Sequence, residues 1–254
     1  MNFLNIKNLS RSFGGLKAVQ DVSFTVSQKT IKALIGPNGA GKTTLFNLIA
    51  GSLPADSGEV FINEIPIHNQ PPHKIARHGI SRTFQNIKLF SHMTVLENVM
   101  IGRHIQSKSG FFSAMFKLPH SIKEERSIKE RSMEILCMMG IENESDNEAG
   151  NLPFGKQRYV EIARSLATEP SLLLLDEPAA GLNMYETKHL SEMILKIKEQ
   201  GLTILLIEHD MSLVMDISDD IVVLSSGKKI AEGLPAEIQK NSEVIRVYLG
   251  EEDD

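Results

Sequence analysis

One cysteine, Cys137, is all the thiol chemistry this 254-residue chain possesses. No internal disulfide can form, no Cys-based metal site is indicated, and a reducing compartment fits. Nowhere does an apolar run approach the roughly 18 residues of a membrane span. The opening MNFLNIKNLS holds no apolar signal core,. The expectation is a soluble protein whose link to any membrane comes through a partner. An excess of positive charge is also missing. A net charge of −5 and a pI near 5.9 argue mildly against a nucleic-acid partner, which usually presents a basic stripe,. Internal repeats are absent, and the only biased stretch is the acidic EEDD tail, expected to fray,. What is present is ordinary globular composition, 41% hydrophobic and 23% charged,. The length suits one large domain or two unequal lobes with an ample core.

The patterning divides the chain. Residues 3–9 and 18–26 alternate as strands do, with Phe13-Gly14-Gly15 between them,. IKALI at 31–35 predicts a buried strand, and a helix is expected from Lys42 to Ala50. EVFIN at 59–63 predicts a short strand, with another over 80–84. SLLLL at 171–175 and TILLI at 203–207 are continuously apolar, which suits parallel strands covered on both faces,. A crossover helix is expected over 185–200, a strand over 221–225 and a last helix over 242–249. Between about 94 and 168 the periodicity is helical instead, with one amphipathic helix over 121–139. Strands alternating with helices indicate a parallel α/β core, here with a helical lobe inserted in its middle.

Gly36-Pro37-Asn38-Gly39-Ala40-Gly41-Lys42-Thr43 fits G-x-x-x-x-G-K-[ST] and lies between an expected strand and an expected helix,. Glycines let the backbone wrap phosphate oxygens with its amides turned inward, and the helix N-terminus adds positive potential. Lys42 would reach the β- and γ-phosphates, and the Thr43 hydroxyl would ligate Mg²⁺. Further on, Leu172–Leu175 runs into Asp176-Glu177-Pro178. A carboxylate ending an apolar strand suits the metal-orienting acid of a P-loop enzyme, so Asp176 would hold Mg²⁺ through water and Glu177 would polarise the attacking water. Alone, two acids after a strand are more often a solvated turn; the upstream loop changes that weighting. His209 follows TILLI, where a lone histidine is more often structural. His73 and His78 are five apart and share no helix face, so they show no metal spacing,.

These motifs, with what lies between them, resemble the ATP-binding cassette family over nearly the whole chain. Gln85, in Arg82-Thr83-Phe84-Gln85-Asn86, stands where that family has its Q-loop glutamine. Leu152-Pro153-Phe154-Gly155-Lys156-Gln157-Arg158 stands at the signature position. Gly181-Leu182-Asn183 matches the D-loop, and His209 the switch histidine. A GTPase would need a base-reading N-K-x-D, which is absent. Within the family, SFGGLKAV, RTFQNIKLFSHMTVLENV, DEPAAGLN, LIEHDMSLVM and VIRVYLG look like the LivG-like branched-chain amino acid transport subunits.

The resemblance implies an α/β P-loop NTPase core with a mainly parallel sheet and an N-terminal antiparallel β subdomain. It places the core lobe at about 1–93 and 169–254 and the helical lobe at about 94–168. It implies ATP and Mg²⁺ as cofactors, with Phe13, Gly36, Asn38, Gly39, Ala40, Gly41, Lys42, Thr43 and Thr44 holding ATP. Glu177, His209 and Gln85 would be catalytic, and Thr43, Gln85 and Asp176 would serve the metal. Phe13 would stack on adenine, in place of the family's usual tyrosine; the alternative is a core aromatic between two strands. Pro153, Phe154, Gly155, Lys156 and Gln157 would touch ATP bound to a second cassette. Here the chain departs from Leu-Ser-Gly-Gly-Gln: Pro153 has neither hydroxyl nor N–H, although proline suits a helix's first position, so backbone amides would do more of the contact.

The partners implied are a second cassette subunit, as homodimer or heterodimer, membrane permease subunits and, indirectly, a substrate-binding protein; no nucleic acid. Lys88-Leu89-Phe90 and Met93 would receive a helix of the permease, or else be ordinary loop packing. Phe111, Phe112 and Phe116 form either a core staple or a contact with the membrane partner. The location implied is cytoplasmic, peripheral on the inner face of the plasma membrane. The function implied is powering amino acid uptake. Lipopolysaccharide-export cassettes and non-transport cassette ATPases are the alternatives.

Overall fold

The computed structural model describes residues 2–103 and 119–249. The chain forms two compact units: Met1–Arg82 with Ser171–Ala180 and Met184–Asp254, and Thr83–Pro170 with Gly181–Asn183.

The first unit holds two sheets. Strands β1 (Asn2–Phe13), β2 (Leu16–Ser27), β4 (Ser57–Ile62) and β5 (Ile65–Pro66) make an antiparallel sheet in the order β2-β1-β4-β5. The other sheet runs β10-β9-β3-β8-β7-β6, from β3 (Ile31–Ile35), β6 (Ile80–Arg82), β7 (Leu172–Asp176), β8 (Thr203–Ile207), β9 (Asp220–Ser225) and β10 (Lys228–Gly233). Only the β9–β10 pair in it is antiparallel. Every residue of β3, β7 and β8 is buried, as continuous apolar runs in a doubly covered sheet require.

The period of two in a strand assigns alternate residues to opposite faces. Leu34, Leu172, Leu174, Leu205, Ile207, Val222 and Leu224 join one core cluster with Leu45, Phe46 and Ile49 of α1 (Lys42–Ile49) and with the antiparallel sheet. Ala33, Ile35, Ile221 and Val223 face the other way. They meet Val214 of α7 (Met211–Ile217), Ile238 of α8 (Pro235–Ile238) and Val244 of α9 (Ser242–Leu249). Two further helices belong to this unit: α2 (Pro72–Arg77), with proline in its first turn, and the crossover helix α6 (Met184–Glu199).

The second unit is helical: α3 (Val95–Arg103), α4 (Pro119–Met138) and α5 (Phe154–Leu166), with short 3₁₀ turns at Glu142–Glu144 and Ala149–Asn151. Gly102 lets α3 approach α5 closely, since a Cβ there would sit 2.2 Å from the Arg164 carbonyl oxygen. Phe111, Phe112 and Phe116 lie outside the described residues. One sequence expectation needs correction. Pro153 is not the first residue of its helix but stands one place earlier, at the N-cap, with φ −53 and ψ 148. Its ring accepts that extended conformation without strain, and helical geometry starts only at Phe154.

Candidate functional site

In the first unit, β3 ends at Ile35 and the chain loops through Gly36–Gly41 into α1. Two glycines there are structurally required. A Cβ on Gly36 would lie 2.2 Å from the Leu224 carbonyl oxygen, and one on Gly41, whose φ is 99°, would lie 2.2 Å from that of Ala18. At these two positions the loop is pressed against β9 and β2, with no room for a side chain,. Asn38 and Gly39 are exposed and Ala40 is buried. Lys42 is buried, and its Nζ donates to the carbonyl oxygens of Gly36 (2.8 Å) and Pro37 (3.0 Å). Burial pushes the ammonium below its ordinary range, while the Glu177 and Asp176 carboxylates pull it back,. Thr43 and Thr44 follow in the first turn of α1, where the helix N-terminus favours anions,.

Two strand ends bring two acids and a histidine toward this loop. Asp176 closes β7 and is almost fully buried; Glu177 follows at φ 49, an uncommon conformation for a non-glycine residue and one that collects at functional sites,. His209 follows β8. Its Nε2 lies 2.7 Å from Glu177 Oε1, and the Glu177 amide donates to Ile207 O at 2.9 Å. The structure thus brings Lys42, Asp176, Glu177 and His209 into one unit at the ends of neighbouring strands. Phe13 ends β1 in the same unit and is 43% exposed, with the Arg11 guanidinium 5.0 Å above its ring.

The remaining expected site residues belong to the second unit. Gln85 is exposed, and its carbonyl oxygen accepts from Arg158 Nη2 at 2.9 Å. Arg158 also donates to Phe84 O (2.8 Å) and pairs with Glu161 at 2.9 Å, so a fully buried ion pair on α5 grips the backbone leading into Gln85. Burial raises the Glu161 carboxyl, and Arg158 opposes the rise. In the signature segment Phe154 is exposed and Gly155 buried. Lys156 pairs with Glu144, and Nε2 of the Gln157 side chain donates to Leu152 O at 2.9 Å. Gly181 lies against the Phe154 ring, and Leu182 and Asn183 follow it.

Two residues of this region escape the motif reading. Arg82 pairs with Asp176 at 2.8 Å, and Glu208 accepts the amides of Ala179 (2.7 Å) and His209 (3.0 Å). Both sit inside segments that carry other motifs. A charged residue in or beside a buried strand was the available signal.

A glycine loop entering a helix, a buried lysine and two successive acids at the end of a buried parallel strand define an α/β P-loop nucleotide-binding protein,. The ABC transporter family model matches residues 19–180, and a branched-chain amino acid ATP-binding cassette transporter model matches 228–254. The high-affinity branched-chain amino acid transport ATP-binding protein LivG of Salmonella typhimurium strain LT2 is 45% identical over 98% of both chains. BraF of Pseudomonas aeruginosa, described in the same words, is 44% identical over the same shares. Among solved structures, the ADP conformation of an ATP-binding cassette of an ABC transporter superposes with TM-score 0.86 at 35% identity, covering 99% of this chain and 100% of that one. The chain belongs to the ABC transporter family, and its cassette is an ATPase.

Proposed function

We propose that this chain binds Mg-ATP in the Gly36–Thr44 loop and hydrolyses it to power amino acid uptake by membrane permease subunits. Branched-chain amino acids are the cargo class, on the strength of the relatives' names and the match over 228–254. The observation that carries the reading is Lys42. Its ammonium is held by the carbonyls of its own loop, beside Asp176, Glu177 and His209, and a triphosphate offers that cation better acceptors than the two carbonyls do,.

Glu177 accepts from His209 and is the base that takes the proton of the attacking water as its oxygen bonds to the γ-phosphorus and the bond from that phosphorus to the β,γ-bridging oxygen breaks, releasing ADP and phosphate,. Phe13 stacks on the adenine. Among the described residues no group of three or more His, Cys, Asp or Glu is placed to hold a metal ion. Thr43 and Asp176 offer hard oxygen donors, which suits magnesium held together with water and phosphate. Magnesium bound there neutralises charge developing on the phosphate oxygens.

The site is completed by a second cassette, whose Pro153–Gln157 segment approaches the nucleotide. None of the helices among the described residues is long and apolar enough to cross a membrane. The chain works at the cytoplasmic face, docked to the permease through Lys88–Met93, a segment in which Phe90 is 50% exposed. The test is Lys42→Ala in the organism that encodes the chain. Calorimetry on the purified variant should show ATP affinity reduced by at least about a hundredfold, and uptake of labelled leucine should stop. Retained affinity and turnover would refute the nucleotide site; lost turnover with intact uptake of branched-chain amino acids would refute only the cargo.

A further inference from the structure

Arg82 ends β6, opposite Leu174 of β7, and is the last residue before the helical unit begins. Its guanidinium is a rigid fork, and both tines are engaged with groups around the phosphate loop. Nη2 donates to Asp176 Oδ2 at 2.8 Å, and Nη1 donates to Asn47 Oδ1 at 2.6 Å. The group also lies 5.8 Å from the centre of the Phe46 ring. Asn47 and Phe46 belong to α1, the helix that starts with Lys42 and Thr43. A single planar cation therefore ties the strand that carries the acidic metal donor to the helix that carries the hydroxyl donor. The Arg82 and Asp176 side chains are 12% and 2% exposed, so water screens this pair poorly,.

Resting on the magnesium-nucleotide reading above, we infer that Arg82 is a positioning residue for the metal site, fixing the Asp176 carboxylate and its spacing from Thr43. The ion pair holds one carboxylate oxygen, which orients the other. The bond to Asn47 stops the guanidinium from swinging away with the carboxylate. A groove built this way presents its two oxygen donors at a set separation before metal arrives. Partners of this kind, one step behind the ligands, typically account for about 10–100-fold in metal affinity.

The experiment measures ATP binding by a fluorescent nucleotide analogue, first in chelator and then across a Mg²⁺ titration. It is backed by Mn²⁺ electron paramagnetic resonance on the ATP complex. Arg82→Met keeps the length and removes the fork. Its metal-free affinity should stay within about twofold of the parent, while its Mg²⁺ affinity falls by at least about tenfold and the Mn²⁺ spectrum broadens. Arg82→Lys keeps the charge without the second tine and should recover part of the loss. Asn47→Ala leaves the ion pair intact, frees its other anchor and should weaken Mg²⁺ in the same direction by a smaller factor. Unchanged or tighter Mg²⁺ binding in Arg82→Met overturns the inference. Tighter binding would mean that the guanidinium merely competes with the metal for Asp176. Should Arg82→Met fail to fold, unchanged Mg²⁺ affinity in Asn47→Ala overturns it equally. A parent chain that binds no nucleotide with or without metal overturns the functional reading itself, and this inference with it.

Discussion

Glu208 is the residue at which burial and chemistry conflict most openly. It is 3% exposed and stands between Ile207, the end of β8, and His209. Its two oxygens accept the amides of Ala179 and His209, which braces the loop after Glu177 against the loop that carries the histidine. Desolvation raises its carboxyl above the ordinary value of 4.5, and the amide bonds only partly offset the rise. A carboxyl raised in the folded state stabilises most below its ordinary value and loses that contribution as the pH climbs through the raised one. Glu208→Ala leaves the Ala179 amide buried without its acceptor, so it should cost about 1–3 kcal/mol. That cost should be larger at about pH 5 than at about pH 8, because the parent alone carries the titrating group. Urea denaturation of both proteins at the two pH values checks this; a pH-independent difference would show that Glu208 stays charged throughout.

At the scale of the element, the signature helix shows how a departure from pattern is absorbed. Pro153 caps α5 with no side-chain hydrogen bond, leaving the Gly155 and Lys156 amides without the cap that serine would supply,. Pro153→Ser would add that cap, worth about 0.5–2 kcal/mol, and would lose the proline's restriction of the unfolded chain, worth about 0.4–1 kcal/mol. The terms nearly cancel, so the melting temperature should move by no more than about 4 °C. Turnover should be equal or higher, read by phosphate release; a dead variant would mean that the proline itself shapes the contact with ATP.

The elements that were legible share a trait. IKALI, the four leucines of SLLLL and TILLI read as buried strands because every residue in those runs is covered, and the helix after Lys42 followed from the loop motif alone. What escaped was short or open to solvent. β10, KKIAEG, has no fully buried residue, and α7 and α8 are only a turn or two long. Of the proposed site, the motif residues are those a local pattern can point to, because phosphate chemistry fixes their spacing. Arg82 is not among them, since its partner Asp176 lies 94 positions away and no local pattern joins them.

For the molecule as a whole, the question is what a single copy lacks. Loop, acids and histidine lie in one unit, and the signature segment lies in the other. Phe154 of the second unit is 49% exposed, and Met184 and Tyr185 of the first, which follow the D-loop segment in sequence, are 90% and 83% exposed,. A second copy bound across ATP would cover such residues, and ligands that bind only the pair favour the pair by mass action, about 2.7 kcal/mol at a hundredfold excess over the dissociation constant. Hydrolysis removes that ligand, so the pair should be short-lived in the parent chain. Glu177→Gln keeps the side-chain volume while removing the base, and the nucleotide then stays in place. Sizing with Mg-ATP should show a dimer for Glu177→Gln and a monomer without nucleotide. Adding Met184→Lys and Tyr185→Lys to that variant should return it to monomer, because the charges would be buried unpaired. If Glu177→Gln stays monomeric at saturating Mg-ATP, the exposed residues serve another surface, and closing the site depends on the permease to bring two cassettes together.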